Sequence, residues 1–108
     1  MKQRQPEAIL ETTIVDALKA CGWRVFKRKP HFDTGRKLTF GEKGHPDLEV
    51  LPGRGLAVFL EIKTAKGIVE PHQTAFMAEL RARGYVVEVV RSHTEAVAAV
   101  RRAISILF

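Results

Sequence analysis

Two acidic residues and one lysine stand where they could cut a phosphodiester. Asp47 follows Pro46 at the head of an alternating segment, Asp47 to Leu51, and Glu61 precedes Lys63 by two residues at the tail of another, Leu56 to Lys63. Residues two apart on a strand share a face, so Asp47 and Glu49 project opposite to Leu48 and Val50, and Glu61 and Lys63 opposite to Leu60 and Ile62. If both apolar sets are to meet one core, the register that closes the connecting turn with least strain pairs Leu48 with Leu60 and Val50 with Val58. Asp47 then faces Glu61. Directly opposed side chains lie about 5 Å apart at Cβ, and like charges there are destabilising unless something compensates. A divalent cation would compensate, because two carboxylates with room for water suit a hard ion. Lys63, on the same face, could orient or help deprotonate an attacking water, or stabilise charge developing on phosphate. Together these groups make a phosphodiester hydrolase site.

A register shifted by one step on each strand would instead pair Asp47 with Lys63 and Glu49 with Glu61, leaving a surface ion pair worth about 0–1 kcal/mol and no chemistry. Glu-x-Lys alone carries little weight, since nine Glu and eight Lys give about 0.7 chance matches, whereas Pro-Asp is expected only about 0.14 times. The weight lies in finding both at the right strand ends.

Elements must hold these groups in place. After Pro6, Leu10, Ile14, Leu18 and Cys21, with Val15 and Ala17 beside them, line one face of a helix that ends before Gly22. Glu11 sits at the edge of that stripe, near the positive end of the helix dipole. Trp23, Val25 and Phe26 predict a strand, and residues 30–45, with Pro30, Gly35, Gly41 and Gly44 around Leu38 to Phe40, a loop or loose hairpin. Pro52 to Gly55 reads as the turn between the two site-bearing strands. The unbroken run Leu56 to Leu60 predicts a central strand covered on both faces. A helix from Pro71 turns Phe76, Met77 and Leu80 inward and stops at Gly84; Tyr85 to Val90 is a further strand. Ser92 and Glu95 form a capping box for a last helix, Thr94 to Phe108, with Val97, Val100, Ile104 and Leu107 inward. The order is α, several β, α, β, α.

The length of 108 residues fits one domain over 1–108, and 45% hydrophobic with 28% charged residues is the composition of a globular protein rather than a disordered one. No apolar run approaches the roughly 20 residues of a membrane span, and the first residues lack a signal peptide's apolar stretch, so a cytoplasmic protein is expected, in a bacterial or phage-infected cell. Cys21 is the sole cysteine, which excludes an internal disulfide or a cysteine metal cluster. The net charge of +6 and pI near 9.9 favour a polyanionic partner. Arg24, Lys27, Arg28, Lys29, Arg36, Lys37 and Lys43 concentrate that charge, and with Lys66 and Arg54 they could follow a DNA backbone. Trp23, Phe32 and Phe40 could stack on splayed bases, but such residues are more often core. His31, His45, His72 and His93 lack ligand spacing; His45 has the best claim to touch phosphate or water. Glu7, a turn before Glu11, reads as solvated, Glu49 as peripheral, and Cys21 as buried and inert.

The run Gly44-His45-Pro46-Asp47-Leu48, then Phe59-Leu60-Glu61-Ile62-Lys63-Thr64, Gly67, Gln73 and Gly84 to Ser92 resembles the VRR-NUC family, virus-type replication and repair nucleases of the PD-(D/E)XK superfamily. The likeness runs from about Glu11 to Val97. It implies a restriction-endonuclease-like α/β core of order α-β-β-β-α-β-α, a central mixed sheet flanked by helices, and metal-dependent endonucleolytic cleavage of DNA, especially flaps and four-way (Holliday) junctions in replication, recombination or repair. Members made of this domain alone resemble homodimers, and two symmetric cuts need two symmetric sites.

Carried over by resemblance, the helix-one acid falls on Glu11, the Pro-Asp aspartate on Asp47, the Glu-x-Lys pair on Glu61 and Lys63, and the glutamine of the following helix on Gln73. Asp47, Glu61 and the main-chain carbonyl of Ile62 would hold Mg²⁺ or Mn²⁺, Lys63 would assist the attacking water, Glu11 would serve a second ion or its water, and Gln73 would support the site. One departure from the pattern is Glu70, a poor N-cap ahead of Pro71. The alternative is a nucleic-acid-binding module of the same fold with little or no catalysis.

Overall fold

Hydrophobic periodicity in the first and last helices and the apolar run between them draw the chain around one strand. The computed structural model describes residues 7–28 and 43–107. In chain order these are α1 (Glu7–Ala20), β1 (Arg24–Lys27), β2 (Leu48–Gly53), β3 (Leu56–Ile62), α2 (Pro71–Ala82), β4 (Val86–Val90) and α3 (His93–Leu107). The sheet has the order β1-β2-β3-β4, antiparallel in its first two pairings and parallel between β3 and β4. It is a mixed sheet flanked by helices, with the element order and the central β3 that the sequence predicts.

The register pairs Leu48 with Leu60 and Val50 with Val58, the pairing that sets Asp47 across from Glu61; the slipped alternative is excluded. Beyond Val50 the ladder shifts by one residue, and Gly53 pairs with Leu56. Pro52 has no N–H to give the ladder, so an irregularity there is expected. The connecting turn is therefore only Arg54 and Gly55, both at positive φ (57° and 79°), as a tight two-residue hairpin of right-handed twist requires. Pro52 and Gly53 belong to the strand rather than to the turn.

β3 is buried almost throughout and divides two cores. Leu56, Val58, Leu60 and Ile62 join Leu48 and Val50 against Leu10, Ile14, Val15 and Leu18 of α1 and Ala96, Ala99, Val100 and Ala103 of α3. On the other face Phe59 meets Met77 of α2 and Val87 of β4 in a much smaller cluster. The inward stripe of α3 is thus shifted from the predicted one: Val97 and Ile104 lie at its margin, and Leu107 is 54% exposed. Alanines fill the buried face of α3, where small side chains let a helix pack closely, a preference that apolar periodicity does not reveal. Cys21 lies just past α1, half-buried. Tyr85 falls outside β4, and its N–H donates to Leu80 O (3.0 Å) to close α2. Ser92 Oγ accepts the Glu95 N–H (3.1 Å), as the predicted cap requires. None of the described helices is long and apolar enough to cross a membrane.

Candidate active site

Strand ends and one helix start assemble the site. Asp47 immediately precedes β2, Glu61 is the penultimate residue of β3, and Lys63 follows it. Asp47 Oδ2 accepts the main-chain N–H of Ile62 (2.8 Å), a bond that pins the aspartate over the end of β3. Glu61 is only 2% exposed. Its Oε2 accepts from Gln73 Nε2 at 2.8 Å and lies 3.8 Å from Lys63 Nζ. Its Oε1 is buried with no hydrogen-bond donor.

A buried carboxylate beside a second carboxylate resists ionisation. Burial pushes the Glu61 carboxyl up to about 8, the charge of the neighbouring Asp47 carboxylate pushes in the same direction, Lys63 opposes, and the charge of Glu7 adds a little. The orphaned Oε1 and this crowding of acids are what a cation would relieve, so the donor set fits a hard divalent ion. No group of three His, Cys, Asp or Glu side chains gathers around one point among the described residues, so such an ion would draw its further ligands from main-chain oxygen and water.

Gln73 has two tasks. It is the third residue of α2, where its Oε1 accepts the Glu70 N–H (2.8 Å) while its Nε2 reaches Glu61. The poor N-cap at Glu70 is thus offset from the helix side, because the glutamine supplies the reciprocal half of a capping box. The start of α2 at Pro71 follows the prediction.

Glu11 is half-buried on α1; desolvation raises its pKa, with Lys27 opposing and Asp47 and Glu7 adding. Its carboxylate therefore sits within the field of Asp47 but is not gathered with Asp47 and Glu61. Glu7 is exposed, as read, yet its charge reaches both Glu11 and Glu61. Glu49 pairs with Phe26 and Phe59 across the sheet, away from Glu61.

The segment before Asp47 is built by a close approach that sequence reading missed. Gly44 has φ of 93°, and a Cβ there would fall 2.5 Å from the carbonyl oxygen of His72 in the first turn of α2. Only glycine fits, and the signal was its place three residues before the aspartate. His45 donates from Nδ1 to Pro46 O (2.8 Å) and sets its ring edge-on to Phe59 and Phe76, at 5.9 and 5.3 Å between centroids. His72 and His93 are exposed.

A cavity of about 280 Å³ beside Asp47 is lined by Phe26, Lys27, Arg28 and His45, among others. Arg24 places its guanidinium 4.9 Å from the Phe26 ring centre. Arg28 donates its main-chain N–H to Asp47 O (2.9 Å). Lys43 and Lys66 are exposed. Trp23 packs against the main core. Lys29, Arg36 and Lys37, with His31, Phe32 and Phe40, lie outside the described residues.

The sequence profile of the VRR-NUC domain matches residues 4–94. A solved structure described as a VRR_NUC domain is 28% identical, with 88% of this chain and 94% of that one covered and a TM-score of 0.65. A second, described as a VRR_NUC domain protein, is 18% identical over 95% of this chain and 91% of its own, again with a TM-score of 0.65, and shares the fold. No curated protein matches.

Proposed function

Because the chain belongs to the VRR-NUC family, a nuclease-type module, we propose that it is a metal-dependent endonuclease that hydrolyses DNA phosphodiester bonds by structure rather than by sequence. The observation that carries this reading is the donorless, buried Oε1 of Glu61 beside Asp47: two acids are held together where only a cation or a proton reconciles them. Asp47, Glu61 and the Ile62 carbonyl would hold Mg²⁺ or Mn²⁺, with Glu11 serving from α1. Such an ion, when bound, polarises the phosphodiester and makes water more acidic.

The chain's own residues do the rest. Gln73 fixes the Glu61 carboxylate through Oε2, and the Ile62 N–H fixes Asp47. Lys63, with its side chain only 14% exposed, stands in a partly dry setting where an ammonium can orient the attacking water and stabilise negative charge on the phosphoryl oxygens. Water attacks phosphorus and gives up a proton to solvent, the P–O bond on the far side breaks, and the departing oxygen takes a proton from solvent in turn. Arg24, Lys27, Arg28, Lys43 and Lys66 supply phosphate contacts, which hold DNA without reading bases; Lys29, Arg36 and Lys37 would add to them. Branched DNA, such as four-way junctions or flaps, is the substrate class, and two copies of the chain acting together would place two sites on a symmetric junction.

The test is cleavage of labelled duplex, flap and four-way-junction DNA with Mg²⁺, with Mn²⁺ and with EDTA, beside Asp47→Ala. Metal-dependent cutting that disappears in the variant supports the reading. Binding without cutting under every condition, in both proteins, would make this a nucleic-acid-binding module instead.

A further inference from the structure

The connection from β3 to α2 begins at Lys63 and is fastened at several points. Lys63 N–H donates to Val90 O (3.0 Å), and Gly67 N–H to Thr64 O (3.0 Å), closing a tight turn. A Cβ on Gly67 would crowd Thr64 Oγ1, N and O at 3.2 to 3.4 Å, so the turn is packed upon itself. Arg91, the residue after β4, then clasps it: Nη1 donates to Thr64 O (2.6 Å) and to Gly67 O (2.8 Å). The Arg91 backbone is itself held, its N–H donating to Glu95 Oε1 (2.8 Å) at the start of α3. Ordering a long arginine side chain costs rotamer entropy, and here that cost fixes the shape of one surface turn.

Immediately beyond the clasp stands Ile68, 76% exposed, two residues after the exposed Lys66 and five after Lys63. Single exposed apolar residues are common on protein surfaces. This one differs in being held on the site's own connection, just after two lysines, Lys63 and Lys66, that attract a phosphate backbone. The apolar part of DNA is the face of a base. In continuous duplex those faces are stacked on one another, whereas at a flap, nick or branch one lies open, and apolar side chains such as isoleucine are the kind that pack against or between unstacked bases.

We propose that the turn from Thr64 to Ile68 is a rigid lip of the active site, with Ile68 packing on the exposed base at a discontinuity in the DNA and Arg91 as the positioning residue that keeps it there. The inference rests on the nuclease reading and adds to it a source of structure selectivity that needs no base-specific hydrogen bond.

The experiment compares wild type, Ile68→Ala, Arg91→Met, Arg91→Lys and the Ile68→Ala/Arg91→Met double variant on continuous duplex, flap and four-way-junction DNA. Ile68→Ala is expected to lower kcat/KM on the discontinuous DNAs about tenfold, the scale of an isoleucine's lost apolar contact, with less than a twofold change on duplex and an unchanged Tm. Arg91→Met, which keeps the aliphatic stem, should reproduce this selectivity loss. Arg91→Lys, whose ammonium can still donate to both carbonyls, should restore most of it. The double variant should be no worse than Arg91→Met alone, as two residues acting through one contact require. Equal losses on every DNA, or none, would overturn the lip; so would conversion of a wild-type dimer to a monomer by Ile68→Ala, which would make the tip a subunit contact. If the wild type cuts no DNA, the nuclease reading fails by itself. The lip is then read from fluorescence of 2-aminopurine placed at the branch point: a change on binding wild type that Ile68→Ala lacks supports it, and equal signals overturn it.

Discussion

The two faces of β3 are built to opposite rules. Toward α1 and α3 every side chain of β3 is apolar, met by leucine, isoleucine and valine from α1 and mostly by alanines from α3. Toward α2 the apolar layer is three buried residues, Phe59, Met77 and Val87, and at its end the same strand presents Glu61, the sole buried charged residue among those described. One face carries the stability that lets the other hold a carboxylate in a setting a folding chain would otherwise avoid. The lesson is that this site needs a strand whose far side is already well paid for.

Loss of Lys63 should break that division most sharply. Lys63→Ala is expected to reduce cleavage at least ~100-fold, the scale of removing a group that stabilises transition-state charge, with DNA binding retained; a gel-shift assay beside single-turnover cleavage measures both. A variant that cuts normally would remove the lysine from the chemistry.

Truncations on the two faces come next. Leu60→Ala, in the large core, should cost about 3–5 kcal/mol, and Met77→Ala, in the small cluster, nearer the ~2 kcal/mol end of the range for such truncations. Urea unfolding of both variants checks the order, and equal losses would mean that the two faces contribute equally to stability.

Gly44→Ala joins the faces. Its Cβ would meet the His72 carbonyl at 2.5 Å with φ at 93°, so a loss of about 2 kcal/mol or more is expected from strain and backbone displacement. Cleavage should fall further than stability alone explains, because Asp47 follows three residues later. Activity measured well below the variant's Tm separates the two effects.

The last effect is electrostatic. In protein freed of divalent ions, the folded Glu61 carboxyl is pushed up to about 8, from an ordinary 4.5. Between those pH values the folded state holds a proton that the unfolded state has released, so stability falls as pH rises through this range and the contribution is gone above it. Thermal melts in EDTA should show that decline. Glu61→Gln should flatten it, and Mg²⁺ or Mn²⁺ should raise the wild-type Tm more at pH 8 than at pH 5. A wild-type curve as flat as the variant's would refute the assignment.

Much of this was legible in the order of residues. Side-chain parity in two short strands excluded a one-residue slip, which would have buried the acids on the core face and exposed Leu48 and Leu60, and the least strained closure of the turn then chose the register that sets Asp47 opposite Glu61 over the one that pairs it with Lys63. Gln73 came from resemblance alone; nothing in its spacing announces that it bonds Glu61 with one end and caps α2 with the other. What parity and periodicity missed was set by tertiary packing. The inward alanines of α3 look neutral in a hydrophobic pattern, the continuation of β2 through Pro52 and Gly53 runs against their turn preference, and the fit of Gly44 to His72 depends on a helix nearly thirty residues away.

The two-residue turn at Arg54 and Gly55 has a consequence in time. A hairpin with so short a connection forms in about 1–10 μs, well before contacts that must close long loops. Asp47 and Glu61 lie on the two arms of that hairpin, so they meet among the earliest events of folding, while α1 and α3 are still searching for the sheet. Their repulsion is therefore felt when little else holds the arms together, and acid or a divalent ion in the refolding buffer would speed the first step taken by the chain as well as steady the last.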